Sequence, residues 1–563
     1  MHLRRSSARI ALLLAVAAAL AAPAGAQQGP RPAPSLSLRQ ANELNRLARL
    51  ALQRYLASRT PADAQQIPPA LAALADRNDP VAVSLSYKGA VTEPVVARDG
   101  SLCRNLITAA LAALRSEELP DRIDLGVVNA LTLYVEIHGP AEEATTEALD
   151  ALLAPGLAAL TARRGEAEAW TPAVTAYLRG MNAAEMRRHG LAALPAGGPE
   201  VRWRVRAVRA FVAGRDGRAT WLLRGKVLLP FEAIDPAALT AAAERTGRFL
   251  LAHQTPEGVY ALSEGQAAAA SNFREHLAAT WAMTRLAQRR GDVPAYAASA
   301  TRAVQAALAQ VRREGKRLTI PADRLDHEVT AAAWMLRLAG QMGESPRAAE
   351  LREGMRQTIT DALAEQRLAE ALAGENADRI ARAAALGLLA LRQSGTDDAR
   401  TRAIADALAE AKVTDLRARL WAGLAGLELA PAGPEPHWHT GRVAEDRRGG
   451  LSQGPGEPDT ITTALFAQLM AARAKASAGG ADSTASDAGQ QAARLAGRAR
   501  RFCYRQVYTH PAEAWFAAEP DAWLGGVRVD PGTSRISLAA CAAALEALLT
   551  APPQAQTGGA GDG

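Results

Sequence analysis

DPAALTAAAERTGRFLLAHQTPEGVY, residues 235–260, is where the chain changes character. Asp235 can cap a helix, and Pro236 suits its first position. The Ala- and Leu-rich run behind them predicts a helix over 237–253, since alanine has the highest helix propensity. Pro256-Glu257-Gly258 then breaks it. The same alternation runs on to residue 549. Helical stretches fall near 273–289, 294–314, 325–342, 346–365, 378–393, 399–411, 413–428, 460–476, 487–505 and 535–549. Breaks such as Gly291-Asp292, Gly343 and Gly395-Thr396 separate them, and short connections make neighbouring helices antiparallel.

About eleven or twelve antiparallel helices over 235–550 predict an α/α toroid or an α-solenoid. There is no strict 34-residue period to favour a tetratricopeptide array. Upstream, residues 40–232 read as an α+β domain. Leu44, Leu47, Ala48, Ala51 and Tyr55 share one face of a helix over Asn42–Leu56. Val81, Val83 and Leu85 alternate with small residues, as in a strand. A helix follows over 102–116, and Val127–His138 again reads as a strand. Gly156–Thr161, Val201–Val212 and Ala219–Val227 add strands, with a hairpin turn at Arg215-Asp216-Gly217. The fold class is therefore multidomain and mainly α.

The N-terminus predicts export. Arg4, Arg5 and Arg9 precede an apolar run from Ile10 to Ala22, and Ala24 and Ala26 give an A-x-A site before Gln27. That run suits a signal peptide over residues 1–26 and is too short to span a bilayer. A Pro-rich linker, 27–39, follows, and 551–563 has the composition of a disordered tail. A periplasmic or secreted protein with no stable membrane span after cleavage is expected. Three charges of the net +7 lie in the signal, and no basic stripe interleaves with aromatics, so nucleic acid is not an expected partner. Cys503 and Cys541 could pair, leaving Cys103 over, or all three could be buried apolar residues. Ala478–Gln491 reads as a small-residue loop.

Three short motifs carry a family resemblance over residues 237–550. His253-Gln254-Thr255-Pro256-Glu257-Gly258-Val259-Tyr260 looks like the Q-x-x-x-G-x-aromatic turn of terpenoid-cyclase and prenyltransferase-like α/α toroids. Asn272-Phe273-Arg274-Glu275-His276 resembles the helix entry of six-hairpin glycosidase or epimerase-like toroids. Trp523-Leu524-Gly525-Gly526-Val527-Arg528 is similar to their closing glycine turn. The D-x-D-D of proton-initiated cyclases and the zinc set of protein prenyltransferases are missing. Residues 40–225 bear a faint similarity to AMMECR-type domains without their R-G-C-I-G motif, and no activity is carried across.

In a toroid, loops at one end rim a cavity. Arg274 could bind a carboxylate or phosphate there, and His276 could act as acid or base. Glu457 and Asp459 form a carboxylate pair that could support glycoside hydrolysis; Asp459 is equally placed to cap the next helix. Tyr260, Trp281 and Trp438 are the candidate substrate-binding aromatics. Asp326, His327 and Glu328 read as first-turn residues suited to a helix dipole. His437 and His439 could chelate a metal, contact a ligand or lie in a solvated loop. No further ligand is fixed by spacing, so neither metal nor cofactor is assigned. Gly450-Leu451-Ser452-Gln453-Gly454 matches a hydrolase elbow by letter only, because no strand is expected before it and the helix is delayed. The resemblance, taken with these residues, implies a carbohydrate-binding or carbohydrate-processing toroid (lyase, epimerase or hydrolase) with a glycan or small-molecule ligand. The alternative is a non-catalytic envelope protein. The sequence gives no indication of oligomeric state.

Overall fold

A computed structural model describes residues 35–58, 67–262, 272–314, 317–320, 322–429, 434–440, 445–454, 456–478 and 483–550. The export signal, most of the linker and the tail lie outside the described residues. The first part of the chain runs α1 (Leu38–Ser58), β1 (Val81–Tyr87), β2 (Ala90–Val91), β3 (Val95–Ala97), α2 (Leu102–Ala113), α3 (Leu125–Ala130), β4 (Thr132–His138), β5 (Glu142–Ala144) and α4 (Thr146–Leu152). It continues β6 (Ala158–Arg164), β7 (Ala167–Thr171), α5 (Ala173–Arg179), α6 (Ala183–Ala192), β8 (Arg202–Ala213) and β9 (Ala219–Leu222).

These strands form one antiparallel sheet of order β2-β1-β4-β8-β6-β7, with β3 on β1 and β5 and β9 on β8. Successive side chains of a strand face opposite sides. Leu133, Val135 and Ile137 of β4 therefore pack with Leu44, Leu47 and Leu102 of α1 and α2. Tyr134 and, on β8, Val212 point the other way and join the core of the helical part. Tyr134 stacks on Trp515 with ring centroids 4.7 Å apart.

The helical part runs α7 (Pro236–Ala252), α8 (Phe273–Arg289), α9 (Pro294–Leu308), α10 (Leu325–Ala339), α11 (Pro346–Ala362), α12 (Glu365–Leu372), α13 (Ala377–Gln393), α14 (Ala399–Glu410), α15 (Leu416–Leu424), α16 (Thr460–Ser477), α17 (Ser483–Gln506) and α18 (Leu538–Leu549). The chain is thus mainly helical with a β-containing N-terminal region. Residues 331–339 of α10 and 383–391 of α13 are buried all round, the mark of a helix enclosed by others. By contrast α7, α9, α11 and α14 bury one stripe each. The enclosed helices contact one another in the order α8, α10, α13, α15, α16, α18, and α18 contacts α8. Helices α9, α11, α14, α17 and α7 lie against α8, α10, α13, α16 and α18 respectively.

Two glycines of the sequence motifs set close approaches. Gly258 has φ +92°, and a Cβ there would fall 2.5 Å from the carbonyl oxygen of Arg302 on α9. Gly525 has φ +95°, and a Cβ there would overlap the carbonyl oxygen of Arg245 on α7. Only glycine adopts such a backbone without strain.

Several expectations are corrected. Helix α17 begins at Ser483, inside the stretch read as a loop. The stretch 127–138 divides into α3 and β4, because Asp124 caps a short helix through the N–H of Val127. The stretch 294–314 stops at Leu308, and a hairpin of β10 (Arg312–Glu314) and β11 (Arg317–Thr319) follows. Cys503 and Cys541 are free and buried on neighbouring helices, where they serve as small apolar packing residues.

Candidate functional site

The N-terminal turns of α8, α10, α13, α16 and α18 open on one cavity of about 500 Å³. Helix N-termini carry unsatisfied N–H groups and positive dipole ends, so their convergence favours an anion. Asn272 caps α8 by accepting from the N–H groups of Arg274 (3.1 Å) and Glu275 (3.2 Å), which fixes both side chains in the first turn. No side chain caps α10, whose first turn supplies Asp326 and His327 beside Arg324. Arg379 and Arg382 come from α13. Trp334 and Trp421 lie deeper, edge to face with centroids 5.9 Å apart.

His327 is the chemically distinctive group. Its Nδ1 lies 2.6 Å from Asp323 Oδ1. A carboxylate only accepts, so in the neutral ring this bond holds the proton on Nδ1 and leaves the Nε2 lone pair to accept. The same bond keeps the Asp323 carboxyl below the usual range. Nε2 lies 3.7 Å from Asp326 Oδ2. Asp326 is in turn held by Arg324 at 3.0 Å and Arg274 at 4.0 Å. Burial pushes Glu275 up, more than the Asn272 backbone and Arg274 pull it down. The cavity therefore joins a base, an acid of raised pKa and four guanidinium groups.

Of the seven residues singled out from sequence, Arg274 borders this cavity and the others lie elsewhere. His276 is two residues on, so it faces the opposite side of α8. It is 1% exposed, accepts the N–H of Tyr260 on Nδ1 (3.0 Å), and is drawn down to about 4 by burial. Tyr260 is buried with its hydroxyl 2.7 Å from Ser299 Oγ. The two lock the glycine turn onto α8 and α9. Trp281 lines a second cavity at the opposite ends of the helices. Trp438 is buried against Phe466, centroids 5.4 Å apart.

Glu457 sits in the seam between sheet and helices. It pairs with Arg224 at 2.8 Å and with Arg447. Burial opposes its charge, but the two arginines outweigh it and hold the carboxyl below the usual range. Arg224, fully buried, also faces Asp446 at 3.5 Å, and Arg528 donates to its carbonyl at 2.8 Å. That bond helps fix the left-handed backbone of Arg224, φ +49°. Asp459 caps α16 through the N–H of Thr462 (2.6 Å) and pairs with Arg417 (2.6 Å). Arg274, His276, Trp281 and Glu457 do not converge on one cleft: His276 faces away from Arg274, Trp281 lies two turns further along α8 at the other cavity, and Glu457 belongs to the seam.

The loop 434–440 is not simply solvated. β12 (Pro436–Trp438) pairs with β13 (Leu451–Gln453), and His439 Nε2 lies 2.9 Å from Ser452 Oγ. Ser452 is 3% exposed and donates to the Gly454 carbonyl, and α16 begins only at Thr460, so this is no hydrolase elbow. Among the described residues, no group of three or more His, Cys, Asp or Glu is placed to hold a metal, and no helix is long and apolar enough to cross a membrane. Sequence reasoning missed the pairing of Asp323 with His327. Their four-residue spacing across a helix start was the available signal.

No family model and no curated protein matches the sequence. Two solved structures are similar in part. An uncharacterised protein from Pyrococcus horikoshii is 17% identical, with 33% of this chain and 97% of that chain covered and a TM-score of 0.29. A polysaccharide lyase is 10% identical, with 71% of this chain and 57% of that chain covered and a TM-score of 0.29.

Proposed function

We propose that the helical part is an α/α toroid whose cup binds and cleaves an acidic saccharide by elimination next to a uronate carboxylate. The cyclic contact order of α8, α10, α13, α15, α16 and α18 supports the toroid. One observation carries the chemistry: the His327–Asp323 pair stands among Arg274, Arg324, Arg379 and Arg382 at converging helix N-termini. The arginines would neutralise the carboxylate and so acidify the neighbouring C–H. His327 Nε2 takes that proton, the C–O bond to the next sugar breaks, and Glu275, whose acid form burial favours, supplies a proton to the leaving oxygen. Trp334 and Trp421 floor the cup.

The test is incubation with uronate-containing polysaccharides, followed by ultraviolet absorbance of the unsaturated product. His327→Ala is expected to lower the rate by about 10²–10⁴-fold, the usual worth of a positioned acid or base. No product and no thermal shift with any uronate glycan defeats the proposal. A second reading, an envelope protein that binds without turnover, is favoured by the burial of both tryptophans, 8% and 9% exposed, which leaves little ring to stack on a sugar. Saturable binding with no product supports that reading. Export remains part of the proposal on the strength of residues 1–26. N-terminal sequencing of protein from the periplasm or medium should then begin at Gln27.

A further inference from the structure

The opposite ends of the same helices enclose a second cavity of about 760 Å³. Its charged lining is Arg285, Arg289, Arg337 and Lys475 against a single carboxylate, Glu546. None of the four cations forms an ion pair among the described residues. Cations near helix C-termini offset the negative dipole end, which accounts for part of this excess. Arg337 goes further. It is 7% exposed, its guanidinium lies 4.2 Å from the Trp281 ring and 4.7 Å from the Trp334 ring, and its Nη1 has no partner. Gln393 accepts from its Nε at 3.0 Å. Gln393 answers Arg337 with a neutral oxygen and Glu546 is the one carboxylate whose charge favours it, so the buried guanidinium is under-compensated and a further anion would complete it. Trp281 Nε1 is a second buried donor without a partner beside the same cavity.

We propose that this second cavity binds a small polyanion through Arg285, Arg337 and Lys475, with Arg289 at its edge. The class is a compact molecule bearing two or more phosphate or carboxylate groups. The lining sets four cations from α8, α10 and α16 against one carboxylate, with Gln341, Gln393, Gln468, Ser394 and Thr550 as neutral polar groups, and this charge balance fits an oxyanion ligand. The site is separate from the His327 cup and stands whether or not that cup turns over a saccharide. Gln468 and Glu546 border both cavities, so occupancy of one has a physical route to the other.

The test is calorimetric titration of the full chain with pyrophosphate, citrate and a short oligouronate, with tryptophan fluorescence as a second readout. Saturable binding of pyrophosphate or citrate is expected, and which of the two binds tells phosphate from carboxylate chemistry. Arg285→Gln with Lys475→Gln, which leaves the buried Arg337 in place, should weaken it at least tenfold. His327→Ala should leave it unchanged. Absence of saturable binding to pyrophosphate and citrate overturns the proposal. So does equal affinity in the double variant, or loss of binding in His327→Ala.

Discussion

Glu457 and Asp326 each face two guanidinium groups, yet one belongs to the seam between sheet and helices and the other to the wall of a cavity. At the seam, Arg224 and Arg447 close on Glu457 from both sides. At the cup, Arg324 reaches Asp326 at 3.0 Å but Arg274 stays 4.0 Å away, and Arg379 is exposed at the rim. A charge cluster whose members complete one another holds a fold together. One whose members are left half-answered on a cavity wall is ready for a ligand. The sequence shows arginines and carboxylates in both places and cannot rank them, because pairing is decided by elements far apart in the chain.

Four substitutions sharpen or break this contrast. Glu457→Ala should cost the most, about 3–5 kcal/mol of unfolding free energy in denaturant titration, because it strands Arg224 in the interior. Next comes acid sensitivity. His276 is held neutral by burial and titrates at about 4 in the folded chain. An ordinary histidine titrates near 6.5, so the unfolded chain binds the extra proton between those values. The stability contributed is full above pH 6.5 and lost as pH falls through 4, about 3 kcal/mol for this residue. His439, drawn down to about 3 by burial, acts in the same direction. Asp530, pushed up to about 6 by burial, opposes them, since its folded form keeps its proton below that pH. His276→Gln should flatten the pH slope of stability between 4 and 6.5, and an unchanged slope would refute its buried neutral state.

Gly258→Ala should lower stability by about 1–3 kcal/mol through backbone strain, seen as a drop in Tm. Arg274→Gln should change stability by less than about 1 kcal/mol, since its contact with Asp326 is long, at 4.0 Å, and Asp326 keeps Arg324. It should nevertheless weaken uronate binding about tenfold, the worth of one good charged hydrogen bond. A stability loss at Arg274 equal to that at Glu457 would erase the distinction between seam and cup.

Much of the architecture was legible. The eleven helical stretches all correspond to helices, because alanine-rich runs with Gly and Pro breaks are a local signal. The alternation of Val81, Val83 and Leu85 marked β1 for the same reason. What failed was what depends on partners. Residues 483–491 belong to a helix, α17, that packs along α16, a tertiary contact the local sequence does not announce. His276 was chosen for its chemistry, but a helix turns about 100° per residue, so it and Arg274 face opposite ways. His327 was passed over because an acidic first turn explains itself without a site. Its bond to Asp323 becomes visible only once the helix start is built.

The shared apolar core has a practical corollary for anyone cutting the chain. Tyr134, Val212 and Leu222 are carried by strands, yet they belong to the same cluster as Trp515 and Tyr508, more than 280 residues downstream. Scission near Asp235 would bare an oily strip on each fragment. Separately expressed halves should stick to themselves or to each other, and co-expression is the sensible way to study either one.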